Sequence, residues 1–161
     1  MIPLWWIFSS LPGSFPEKDG DKMSKSAVVY WSGTGNTEAM ARAVLEGARS
    51  AGNEAELFTA SEFTGANPDD YDGIAFGCPA MGAEVLEETE FQPMFDQVKP
   101  RLAGKKVALF GSYGWGGGVW MDQWKDDCVQ AGASLAADPV LCNGEPDDSV
   151  LAQCRSLGVS L

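Results

Sequence analysis

Residues 32–37 read Ser-Gly-Thr-Gly-Asn-Thr, and four of these six residues carry a short, neutral side chain able to donate a hydrogen bond. The two glycines let the backbone turn sharply and present its amide hydrogens. An apolar run, Ala27–Trp31, precedes this segment, and a helix-patterned stretch, Thr37–Ala51, follows it. The segment therefore sits at a helix N-terminus, where unpaired amides and the helix dipole favour negative charge. It contains no lysine or arginine. The chemistry it offers is an anion held by neutral donors alone.

Three other anion-binding motifs are excluded by the residues themselves. A nucleoside-triphosphate loop places a lysine before its last Ser/Thr, and none stands here. A dinucleotide fingerprint counted from Gly33 requires a third glycine where Glu38 is found. A phosphoacceptor of the receiver type requires an aspartate after the third strand, where the chain has Cys78-Pro79.

The rest of the composition narrows the chemistry further. The chain has no histidine, so the usual neutral-pH acid/base and the commonest metal ligand are both missing. Cys78, Cys128, Cys142 and Cys154 form no C-x-x-C pair or ligand cluster, and free thiols imply a reducing, cytoplasmic setting. A formal net charge of -12 opposes binding to nucleic acid or to an anionic membrane and complements a basic protein surface.

The 161 residues suit one domain preceded by a short extension. Residues 1–22 join a brief apolar run to a stretch of Pro, Gly and charge, and they read as a disordered N-terminal extension. The apolar run is too short to span a bilayer. From residue 23 onward, strand and helix patterns alternate. Strands are expected over Ala27–Trp31, Glu54–Phe58 (near an edge), Gly73–Cys78, Val107–Phe110 and Leu135–Leu141. Helices are expected over Thr37–Ala51, Phe91–Leu102, Val119–Ala131 and Asp147–Leu157. Helices alternating with strands in this way cover both faces of a parallel sheet. Ligands then bind beyond the strand C-termini, which directs attention to the loops after the first, third and fourth strands.

All three of those loops resemble the cofactor loops of the flavodoxin family. Ser32–Thr37 after a Tyr-Trp strand end resembles the family's FMN phosphate signature. Gly77–Glu90 (GCPAMGAEVLEETE) and Leu109–Trp120 (LFGSYGWGGGVW) look like the two flavin-ring loops of its short-chain members, especially those of anaerobic bacteria. The resemblance runs from Ser26 to the C-terminus. It implies an α/β, flavodoxin-like, doubly wound, five-stranded parallel sheet of order 2-1-3-4-5 with helices on both faces.

The cofactor it implies is FMN, and it suggests a site residue by residue. Ser32, Gly33, Thr34, Gly35, Asn36 and Thr37 would hold the phosphate. Met81 and Trp115 would sandwich the ring, Glu84 would accept from its N3–H, and Pro79, Ala80, Gly82, Ala83 and Gly116 would border it. Ser112, Tyr113 and Gly114 would line the other side, with Trp120 near the phosphate and ribitol end. The Gly82–Ala83 peptide would turn over on reduction.

The function implied is a low-potential one-electron carrier, not an enzyme, cycling FMN between semiquinone and hydroquinone. It would be a monomer that docks transiently to basic redox proteins such as reductases and oxidoreductases. The acids around the ring loops, Glu84, Glu87, Glu88, Glu90, Asp122, Asp126 and Asp127, would form its docking surface. Two alternatives stay open at this stage: an FMN-dependent quinone reductase on the same fold, and a flavin-free interaction module.

Overall fold

Strand β1 (Lys25–Tyr30) is buried from Ser26 to Val29 and half-buried at its ends, and its side chains alternate between two separate cores, as a pleated strand covered on both faces requires. Ala27 and Val29 face one way with Ile74, Phe76, Val107 and Leu109. Val28 faces the other way with Ala75, Ala108 and Phe110. The computed structural model describes residues 24–82 and 84–161. The extension expected over residues 1–22 lies outside them.

The elements follow as α1 (Asn36–Ser50), β2 (Glu54–Thr59), α2 (Ala60–Phe63), β3 (Gly73–Gly77), α3 (Phe91–Val98), β4 (Lys106–Tyr113), α4 (Val119–Gln130), β5 (Ser134–Leu135), β6 (Val140–Asn143) and α5 (Asp148–Val159). All strand pairings between them are parallel. The sheet runs β2-β1-β3-β4-β5, with β6 also paired to β4. Helices α1 and α5 pack on the face of Val28 and Phe110, and α3 and α4 on the face of Phe76 and Leu109. The expected order and the two-sided helix cover are both present, and β2 pairs only with β1, as an edge strand should.

The fifth strand departs from expectation. Leu135–Leu141 reads as one strand in sequence, yet it is two short pieces, both laid along β4. The first ladder ends where the Ala136 amide donates to Val107 O at 2.8 Å. Pro139 lacks an N–H and cannot continue it, so pairing resumes only at Val140. The connection after β2 is also more regular than its Gly/Asn/Pro content suggests. Thr59 and Glu62 form a reciprocal capping box that starts α2.

Two glycines bring α1 and α5 into backbone contact. A Cβ on Gly47 would lie 1.9 Å from Arg155 O, and one on Gly158 would lie 2.0 Å from Val44 O. Neither backbone atom can yield as a flexible side chain would. Nearby, Arg155 reaches Glu46 at 3.4 Å, while Arg42 pairs with Glu38 on its own helix at 2.8 Å. Exposed pairs of this kind contribute little beside the close helix contact. Replacing either glycine with alanine is expected to lower stability by about 2 kcal/mol or more, because overpacking outweighs the gain of about 1 kcal/mol in helix propensity. Urea unfolding midpoints of Gly47→Ala and Gly158→Ala against the parent protein measure this.

Candidate functional site

Beyond the C-terminal ends of β1, β3 and β4 lies a cleft of about 260 Å³. Its wall is built from the loops expected: Ser32, Gly33, Thr34, Asn36 and Thr37 from the first, Pro79, Ala80 and Met81 from the second, Ser112, Tyr113 and Gly114 from the third. Trp31 and Gly144 complete it. Among the described residues, no lysine or arginine lines it.

The first loop is organised by its own side chains. Ser32 Oγ accepts the Gly35 amide at 3.0 Å, and Thr34 Oγ1 accepts the Asn36 amide at 3.4 Å. Gly35 stands outside the cleft lining and caps α1 with φ 99°, a conformation that favours glycine. The amides of Thr37 and Glu38, in the first helical turn, have no acceptor among the described residues. They are the donors that every helix start leaves over. Thr37 is fully buried, and its hydroxyl lies 3.0 Å from that of Ser112 at the end of β4. Neutral donors of this kind at a helix start suit an anion.

The second loop folds into a narrow finger. Met81 and Val85 exchange both backbone hydrogen bonds, at 2.9 and 3.1 Å. Gly82 at φ 40° and Glu84 at φ 58° turn the chain between them. Residue 83, and with it half of the Gly82–Ala83 peptide, lies outside the described residues. Glu84 does not line the cleft. Its Oε1 accepts the Val119 amide at 3.0 Å, and a Cβ on Gly116 would meet its carboxyl carbon at 2.6 Å. The carboxylate thereby joins the second loop to the third, close to the start of α4.

On the third loop, Trp115 stands 62% exposed among glycines, outside the cleft lining. A tryptophan so placed gains little from core packing and offers a flat apolar face beside the cleft. Trp120, expected near the phosphate and ribitol end, is not among the cleft-lining residues. Its side chain is buried, its indole N–H donates to Cys78 O at 3.1 Å, and its ring packs against Tyr113 at 5.6 Å. It supports the cleft floor without lining the cleft. The reason is steric: Gly111 has no Cβ, so the Trp120 ring can lie over the sheet where a Cβ would stand 3.1 Å from it.

Two cleft residues escaped the sequence reading. Trp31 is a wall, with its indole N–H held by Glu90 at 3.0 Å and its ring under Gly33, where a Cβ would come within 3.1 Å. Its position directly before the anion loop was the available signal. Gly144 follows β6 at φ 77° and donates to Tyr113 O at 2.9 Å, and an Asn-Gly step marks that turn in sequence.

The acidic rim divides into two kinds of carboxylate. Glu88, Asp122 and Asp126 are exposed. Glu87 is buried and serves the fold: its carboxylate accepts the amides of Thr89, Glu90 and Phe91 at 2.8–2.9 Å and the Thr89 hydroxyl, at the start of α3. Glu90 is occupied with Trp31, and Asp127 with Lys99 at 3.3 Å. Burial alone would raise the Glu87 pKa, but the bonds from Thr89, Phe91 and Glu90 outweigh it and leave the pKa below its ordinary 4.5. Burial pushes the Cys78 thiol up strongly, and those of Cys128 and Cys154 up to about 12, so none is a thiolate at neutral pH.

These features define a class: a doubly wound α/β protein with a helix-start anion site and a cleft fit for a flat apolar ring. Comparison with known proteins makes it particular. The sequence model of the flavodoxin family matches residues 28–158. The chain is 46% identical over 134 residues to a flavodoxin of Megasphaera elsdenii, covering 81% of this chain and 93% of that one. It is 41% identical over 122 residues to a flavodoxin of Clostridium beijerinckii, covering 76% and 88%. The solution structure of two-electron reduced Megasphaera elsdenii flavodoxin superposes with a TM-score of 0.74 at 44% identity, covering 84% of this chain and 96% of that one. The chain belongs to the flavodoxin family.

Because Glu87 has a depressed folded-state pKa, its stabilising contribution is complete above about pH 4.5 and is lost as pH falls through the lower folded value. Glu87→Gln should cost about 1–3 kcal/mol at pH 7, since it disturbs several buried hydrogen bonds at once. The gap between variant and parent should narrow at about pH 3.5. Urea unfolding at both pH values tests the sign.

Proposed function

We propose that this chain is a low-potential electron carrier that holds FMN in the cleft and exchanges single electrons with basic redox proteins. One observation carries the reading: a neutral-donor anion site and an exposed, glycine-flanked tryptophan share the carboxyl edge of one parallel sheet. FMN, when bound, supplies the redox chemistry, taking and giving electrons one at a time. Ser32, Thr34, Asn36 and Thr37 would solvate its phosphate. Met81 and Trp115 would flank its ring, and Tyr113, Gly114 and Ala80 would border it.

The chain's own contribution is electrostatic. With no cation among the described residues that line the cleft, and with carboxylates carried on the ring loops and on α4, added negative charge there would be opposed. Each carboxylate roughly 10 Å away costs such a charge about 1.7 kcal/mol at an effective dielectric near 20. Salt weakens this contribution without abolishing it for partly buried groups. The second one-electron step is thereby made harder than the first.

The same rim supports docking. Val85, Trp115 and Val119 are exposed apolar residues on the ring loops, and Glu88, Asp122 and Asp126 lie exposed near them in sequence. A small apolar contact flanked by carboxylates suits brief complexes with lysine- and arginine-rich surfaces. Four buried free cysteines fit a reducing compartment, the cytoplasm. No described helix is long and apolar enough to cross a membrane.

The purified protein should be yellow, release FMN on denaturation, and titrate potentiometrically in two separate one-electron waves. Both electrons entering in a single wave, or steady NADPH oxidation by the protein alone, would defeat the carrier reading. Raising salt should slow electron transfer to a basic partner several-fold, and Glu88→Gln/Asp122→Asn/Asp126→Asn should flatten that dependence, because steering is screened by ions. Stopped-flow rates across ionic strength measure it.

A further inference from the structure

The resemblance gives Ser112 a place beside the flavin ring, but its hydroxyl points to a different task. Thr37 Oγ1 and Ser112 Oγ lie 3.0 Å apart, and the Ser112 amide is directed at Thr37 Oγ1 at 3.4 Å. Both residues are buried, and both line the cleft. A threonine oxygen has two lone pairs and one proton. Either hydroxyl can be the donor across the 3.0 Å contact; in the arrangement where the Ser112 hydroxyl and amide both donate to Thr37, its acceptor capacity is filled. Its single proton then has only one use, donation to a third group. Thr37 stands in the first turn of α1, where the unpaired amides of Thr37 and Glu38 already favour an anion.

We infer that Ser112 is a positioning residue for phosphate recognition: it turns the Thr37 hydroxyl into an obligate donor toward the anion loop. Without the Ser112 hydroxyl, Thr37 can spend its proton elsewhere, as buried threonines do when they bond back to a carbonyl one turn earlier. The pair also joins the anion loop to the ring loop, since Ser112 directly precedes Tyr113 and Gly114 in the cleft wall. The inference rests on the FMN reading above and adds a residue that distinguishes the phosphorylated flavin from the bare one.

The test compares the affinities of apoprotein for FMN and for riboflavin, which lacks the phosphate, by flavin fluorescence quenching. In Ser112→Ala the ratio of FMN to riboflavin affinity should fall about tenfold, the loss expected for one charge-assisted hydrogen bond. Thr37→Val should lower the ratio by a similar factor, and the double variant by no more than the larger single effect. Ser112→Thr, which keeps the hydroxyl, should restore most of the ratio. Equal loss of both ligands in Ser112→Ala, or an unchanged ratio, overturns the inference while leaving the FMN reading intact. Failure of the parent protein to bind FMN would instead remove the reading itself. Urea unfolding of each apoprotein separates either outcome from a folding defect.

Discussion

A doubly charged group taken out of water has to be solvated by something else. Among the described residues, no cationic side chain lines this cleft to do it. In the reading proposed above, the work would fall to oriented dipoles: amide hydrogens at the start of α1 and the hydroxyls of the loop, among them the Thr37–Ser112 pair. Dipoles act only at short range and in the right direction, so the loop must be fixed closely. Gly35 supplies the left-handed turn, Ser32 and Thr34 tie down amides within the loop, and Ser112 contacts Thr37 from β4, two strands away from β1.

The architecture exists to bring those dipoles to one edge. Alternation in β1, β3 and β4 sends side chains to two cores, and helices cover both. Close approach beneath the cleft depends on Gly77 and Gly111. A Cβ on the first would enter the Phe110 ring at 2.1 Å, and one on the second would meet Cys78 O at 2.2 Å. Trp120 then lies across this flat area, bonded to that same carbonyl, and supports Tyr113.

Much of this was legible in the sequence because it is local. A strand followed by a Gly-rich turn and an amphipathic helix announces an anion site within about twenty residues. The parallel sheet and its edge strand followed from the alternation of patterns. What escaped were pairings across long stretches of chain and the degree of burial. Glu87 looks in sequence like Glu88 and Glu90, yet it lies folded under the start of α3. Trp31 joined to Glu90 spans 59 positions, and Thr37 to Ser112 spans 75. The break between β5 and β6 is written in Asp138-Pro139 but masked by the apolar runs beyond them, Leu135–Ala137 and Val140–Cys142. The burial of Trp120 is not legible either, because tryptophan serves equally as a ring partner and as core filler, and the space above Gly111 that admits its ring is set by the fold.

The contact of α1 with α5 has a mechanical meaning. With Gly47 against Arg155 and Gly158 against Val44, the far half of α1 is clamped backbone to backbone, while its near end carries the anion loop. A helix held this way behaves as a rigid lever with a fixed pivot, and its tip cannot drift without moving the clamp. The C-terminal helix therefore belongs to the alignment of the cleft, although α5 itself lines no part of it. Sequence drift on the buried face of α5 would be read out at the opposite end of α1 as a loss of aim.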